Sequence, residues 1–187
     1  TAYLAVVPGA TLQRDLAWLK RHVGDAFAVI TDMTAAESVL CVMGPKAREL
    51  MQKVSPNDFS NAAHPFGTMR QIEIGMGAAR AHRVTYVGEL GWELYVSSDQ
   101  TAHVFEALEE AGADLGLKLC GLHTLDSCRI EKAYRHFGHD ITDEDHVLEA
   151  GLGFAVSKKK PDYIGRDAVL RKQEAGLDRR MVQFRLT

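Results

Sequence analysis

Three alternating runs with only glycine turns between them constrain this chain most. MRQIEIG (69–75), a second run through Arg80 to Tyr86, and GWELYV (91–96) follow one another directly. Alternation with period two marks a strand, because successive side chains leave opposite faces. Runs placed like this pair as hairpins. SVLCVM (38–43) reads as a further strand, and so do YLAVV (3–7), FAVIT (27–31) and the short LKLCG (117–121). The terminal MVQFRLT is strand-like as well.

Helical patterns are scattered irregularly among the strands. Leu12, Leu16, Leu19 and Val23 recur at three and four residues after Thr11, a candidate cap. Gly44-Pro45 opens a short helix, with Pro where a first turn tolerates it. Residues 99–116 read as a helix capped by Asp99, with Val104, Leu108 and Ala111 inward, and a second strong helix covers about 123–135. Another follows the lysine turn KKKPDYIG. Residues 55–65 and the polar GHDITDEDH (138–146) read as loops. Hairpin strands with interspersed helices give an α+β fold, antiparallel sheets with packed helices, and not a doubly wound parallel sheet. There is no GxGxxG, no Walker loop, no solenoid repeat and no linker, so 1–187 is expected to form one compact unit.

The totals exclude several classes. A chain of 187 residues buries roughly 70% of its unfolded surface, enough for a real core. A net charge of −3 leaves no electrostatic footprint for nucleic acid. No apolar run approaches the ~20 residues of a membrane span. Three cysteines, Cys41, Cys120 and Cys128, form no CxxC, which suggests buried thiols in a reducing compartment. His136, His139 and His146 lie among Asp140, Asp143, Glu144 and Asp145, but their spacing matches no zinc pattern. A solvated acidic loop is the expected reading, with no metal. Lys158 to Lys160 read as a solvated charge run.

After Gly91 the alternation puts Trp92, Leu94 and Val96 on one face and Glu93 and Tyr95 on the other. Trp92 and Leu94 suit a core. Glu93 therefore faces either water or a polar pocket. A carboxylate on a rigid strand is a good fork for two adjacent N–H donors, such as the guanidine-like edge of a pterin. Gly88 and Gly91 allow a tight bend beside it, with Tyr86 just before. Arg129 and Glu131 stand two apart and cannot face each other along a helix. Arg129 suits a structural ion pair or a cavity wall, and Tyr134, three after Glu131, shares Glu131's side of that helix.

VTYVGELGWELYV, LDSCRIEKAYRHFGHDI and LEAGLGFAVSKKKPDYIGRDAVL occur in that order, and GPKARELM extends the pattern upstream. Together they resemble the folate-binding aminomethyltransferase family, that of the glycine cleavage T-protein. GELGWEL and RIEKAYRHFGHDI are in the style of the folate-binding part of dimethylglycine and sarcosine dehydrogenases. The resemblance implies that Tyr86 and Glu93 contact folate, Glu93 at the pterin edge, and that Tyr134 lines the cavity. Arg129 joins them as a folate-binding candidate. Aminomethyltransferases carry a folate-contacting Arg where this chain has Leu125, which fits the dehydrogenase branch better.

Further expectations follow from the resemblance. The fold is T-protein-like and truncated at both ends: the family's catalytic Asp lies upstream of Thr1, and the C-terminal β-rich domain is absent. No catalytic residue is therefore assigned within the chain, and the piece alone is expected to be inactive. The whole would be an FAD-dependent oxidoreductase that passes a one-carbon unit from an oxidised N-methyl amine, its small-molecule substrate, to tetrahydrofolate. FAD would sit in a separate domain of the same polypeptide, and the compartment would be cytoplasmic, or the mitochondrial matrix in a eukaryote. The alternatives are a glycine-cleavage aminomethyltransferase and a non-catalytic folate-binding scaffold.

Overall fold

A computed structural model describes residues 2–157 and 159–186, so Lys158 of the lysine run lies outside the described residues. The chain divides into two compact units, Thr1–Lys132 and Ala133–Thr187, where the sequence suggested one. No linker composition marks the border. A backbone feature does: Ala133 takes a left-handed φ of 56°, the sole positive φ at a non-glycine among the described residues.

The first unit carries one sheet. β1 (Glu37–Met43), β2 (Met69–Ile74), β3 (Gly77–His82) and β4 (Gly91–Ser97) stand in the order β1-β4-β3-β2. Every pair is antiparallel, as the hairpin reading requires. On β4, Trp92 faces Val42 of β1, and Leu94 stands between Leu40 and Ala81. Val96 stands between Ser38 and Ala79. This face is apolar and holds the core.

Two helices cover that face. α2 (Ala47–Val54) supplies Ala47, Leu50 and Met51, and α3 (Thr101–Gly112) supplies Val104 and Leu108. Phe59, from the loop after α2, meets the Trp92 ring edge-on at 5.3 Å between centroids. Trp92, Leu94 and Val96 are all fully buried. His64 is buried too, 6.1 Å from the Trp92 ring, with Nε2 3.2 Å from the Thr68 carbonyl.

The helix starts differ from expectation in their chemistry. α1 (Leu12–His22) begins where the pattern predicts, but no residue of it is buried. The Thr11 hydroxyl donates to Asp15 and to the Pro8 carbonyl instead of capping an N–H. Asp99 does not cap α3 either; it accepts from the Ser97 hydroxyl, and Gln100 precedes the helix.

Residues 3–7, 27–31 and 117–121 are irregular, not strands, and the described part of the terminal run, 181–186, is irregular too. Tyr3, Phe27, Val29 and Leu119 are exposed. β-propensity alone cannot make a strand, because the backbone groups need a partner ladder, and among the described residues 3–7, 27–31 and 117–121 join none. The thiols also differ from expectation: Cys41 and Cys120 are exposed and Cys128 is half-buried. Cys41 lies on the sheet face opposite the helices, because it pairs with Glu93 and not with a core position.

The chain continues through α4 (Leu122–Glu131), which closes the first unit. The second unit contains α5 (Arg166–Ala175). Buried Glu149 accepts from Lys172 at 2.8 Å and Arg179 at 2.9 Å, and its carbonyl accepts the Met181 N–H at 2.9 Å. These bonds fasten α5 and the segment after it to the loop at 145–149. No helix among the described residues is long and apolar enough to cross a membrane.

Candidate functional site

β4 is the element that presents chemistry. Its outer face carries Glu93 and Tyr95, flanked by Cys41 and His82 beside Glu93 and by Val39 and Arg80 beside Tyr95. Gly91 sets how closely β4 lies on β1: a Cβ there would stand 2.6 Å from the Val42 carbonyl oxygen and from Met43 Cγ. Only glycine permits that approach, and two residues further on Glu93 pairs with His82, the last rung of β3.

The Tyr95 hydroxyl donates to Glu93 Oε2 at 2.8 Å. Tyr95 is buried, and Glu93 is half-buried. Burial first, then the bond to Glu93 and its negative charge, hold the Tyr95 phenol far above its ordinary value, so it stays a donor. Burial of the thiol and then the Glu93 charge push Cys41 up as well, although Cys41 as a residue remains solvent-accessible. Arg80 is occupied by an ion pair with Glu37. Among the described residues only Tyr95 donates to the Glu93 carboxylate.

Tyr86 sits half-buried in the loop from β3 to β4. The Thr85 hydroxyl oxygen shapes that loop by accepting the N–H groups of Val87 at 3.2 Å and Gly88 at 3.0 Å. Gly88 has a φ of 79°, and a Cβ on it would strike the Lys132 side chain at 2.2 Å. A small open recess of about 70 Å³ lies on the same loop, between Phe66, Arg83, Thr85 and Glu89. That is well below the roughly 300–1,000 Å³ of an ordinary ligand pocket.

The four sequence candidates are carried by three segments of the chain. Tyr86 and Glu93 share one strand–loop–strand segment, with Glu93 on the rung nearest the loop. Arg129 is buried on α4, and its Nε donates to Asp126 Oδ1 at 2.7 Å. Tyr134 belongs to the second unit. It does not lie on the helix as expected, because α4 ends at Glu131 and left-handed Ala133 turns the chain. Leu125 is half-buried on α4.

Sequence reasoning missed Tyr95. The signal was present, since residues two apart on a strand share a face, but whether a hydroxyl reaches a carboxylate depends on rotamers that spacing does not fix. Among the described residues, no group of three or more His, Cys, Asp or Glu side chains is placed to hold a metal ion.

Comparison with known proteins adds the following. Residues 1–160 match the GCVT N-terminal domain. The chain is 46% identical over 185 residues to 4-methylaminobutanoate oxidase (formaldehyde-forming) of Paenarthrobacter nicotinovorans, covering 98% of this chain and 22% of that protein. It is 38% identical over 156 residues to mitochondrial sarcosine dehydrogenase of Homo sapiens, covering 83% of this chain and 17% of that protein. The chain thus spans about a fifth of the length of these two relatives. The crystal structure of glycine cleavage system aminomethyltransferase T from Bartonella henselae superposes with a TM-score of 0.71 at 24% identity, over 89% of this chain and 44% of that one. The α+β fold with an antiparallel sheet agrees with that likeness.

Proposed function

The chain belongs to the GCVT N-terminal domain family, that of the glycine cleavage T-protein aminomethyltransferases, and on that premise we propose that it is the folate-holding part of an amine-oxidising enzyme. One observation carries the reading. Glu93 is a half-buried carboxylate on a rigid strand, and among the described residues only Tyr95 donates to it, through Oε2. Such a group is an acceptor with spare lone pairs, and it fits a flat ring edge that offers adjacent N–H donors. Tetrahydrofolate has that edge.

In this reading Glu93 fixes the orientation of the pterin ring and Tyr86 contacts it from the loop. Arg129 serves the scaffold, since its guanidinium engages Asp126. Tetrahydrofolate bound here supplies the acceptor for a one-carbon unit, and FAD held elsewhere in the polypeptide supplies the oxidation. The contribution of these residues is positioning: reacting groups held in place replace a bimolecular encounter. The names of the two relatives point to N-methylated amino acids as the substrate class, because 4-methylaminobutanoate and sarcosine each join an N-methyl amine to a carboxylate.

Calorimetric titration of the intact protein with tetrahydrofolate tests the site. Wild type should bind, and Glu93→Gln should weaken binding about 10- to 100-fold, the scale of a hydrogen bond to a charged group. Unchanged affinity in Glu93→Gln overturns the assignment. One-carbon transfer to tetrahydrofolate by a flavin-free preparation would favour the plain aminomethyltransferase reading, and binding without any turnover the scaffold reading.

A further inference from the structure

Glu93 could in principle rotate. The terminal torsion of a glutamate is broad and roughly two-fold, so a free carboxylate presents its fork in many planes. On β4 it is not free. The Tyr95 hydroxyl is fixed by a buried ring on the same face, two residues along the strand, and bonds Oε2 at 2.8 Å. The cross-strand neighbours Cys41 and His82 flank the carboxylate without donating to it. Each carboxylate oxygen has two lone pairs. Tyr95 occupies one on Oε2, and no other described residue donates to the fork.

We propose that Tyr95 is a positioning residue of this site: its hydroxyl locks the Glu93 carboxylate in one plane, so that the open oxygen meets a ring edge with two N–H donors and discriminates against rings with one. The inference rests on the Glu93 reading above and adds the source of its selectivity. A site preorganised for two donors penalises an analogue lacking one of them, because a desolvated acceptor is then left unpaired. Removing the lock costs the correct ligand the most, since that ligand uses the fixed plane fully.

The test compares tetrahydrofolate with its 2-desamino-2-methyl analogue, which has lost one donor, by calorimetry on the intact protein. Tyr95→Phe keeps the ring and its packing, and water replaces the lost donor at the half-buried carboxylate, so the fold should persist. Tetrahydrofolate affinity should fall about tenfold and that of the analogue about twofold, narrowing the preference about fivefold, the effect of losing one charge-assisted bond. Because Tyr95 acts through Glu93, the double variant Tyr95→Phe/Glu93→Gln should bind no worse than Glu93→Gln alone. A purely structural role would add its loss and leave the preference intact, and that result overturns the proposal.

3-Fluorotyrosine at position 95 gives a reading that needs no loss of the hydroxyl. Its fluorine resonance should move when tetrahydrofolate is added and stay put in Glu93→Gln. A resonance indifferent to the ligand in otherwise wild-type protein refutes the coupling. The two levels of inference also separate. If Glu93→Gln leaves affinity unchanged, the folate reading fails. If Glu93→Gln weakens binding while Tyr95→Phe changes neither affinity nor preference, only the role of Tyr95 fails.

Discussion

Trp92 and Glu93 are neighbours in the chain and live in different surroundings. Trp92 lies on the face that α2 and α3 cover, with Phe59 edge-on to its ring and Arg83 5.8 Å from the ring centroid. Glu93 lies on the opposite face among Cys41, His82 and Tyr95. The inner face is apolar and close-packed. The outer face carries polar side chains joined in pairs: Tyr95 with Glu93, Arg80 with Glu37. The difference teaches that one strand does two tasks. Its even-numbered residues generate the burial that makes the sheet rigid, and its odd-numbered residues use that rigidity to hold chemical groups in place.

The contrast can be broken most severely from the inside. Trp92→Ala should lower stability by about 3–5 kcal/mol, the usual cost of deleting a buried large aromatic, measured by urea unfolding. A loss below about 1 kcal/mol would mean that the inner face is not the core. Glu93→Gln should cost far less than Trp92→Ala in the same measurement while it weakens tetrahydrofolate binding, because the amide oxygen can still accept the Tyr95 hydroxyl bond and no core volume is lost.

Acid should also distinguish the faces. Burial holds the His64 pKa below its ordinary value, against a weaker opposing effect of the bond to Thr68. A histidine with a lowered folded pKa binds fewer protons when folded. Its stability contribution is therefore complete above about pH 6.5 and is lost as the solution is acidified through the folded value. The urea midpoint should decline below pH 6.5 in wild type and decline less in His64→Gln. Equal slopes would show that His64 does not titrate with unfolding. The smallest effect belongs to the outer pair: Arg80→Met should cost at most about 1 kcal/mol, as is usual for a partly exposed ion pair. A larger cost would mean that the outer face also bears the fold.

Much of this was legible in the chain. The alternation in 91–96 assigned Trp92, Leu94 and Val96 to the core and Glu93 to the other face, and the strand in the structure does so. The helical periods at 12–22 and 101–112 were equally plain, since 3.6-residue spacing is a property of the local backbone. Residues 3–7 and 27–31 misled for a physical reason. They carry the side chains of strands, but a strand also needs a partner, and partners are placed by the whole fold. Tyr134 misled in another way: its helical period looked unbroken, yet the left-handed turn at Ala133 ends the helix without a glycine or proline to announce it.

The sequence by itself determined which residues of β4 face which way, that the strands pair antiparallel, and which carboxylate is worth testing. Only the tertiary structure decided that β1 rather than β2 lies beside β4, that Gly91 meets Val42, and that the Tyr95 hydroxyl closes on Glu93. The reason is one of range. Periodicity is written in bonds between adjacent residues, whereas register and hydrogen bonding depend on distances between side chains that the backbone brings together only after it has folded.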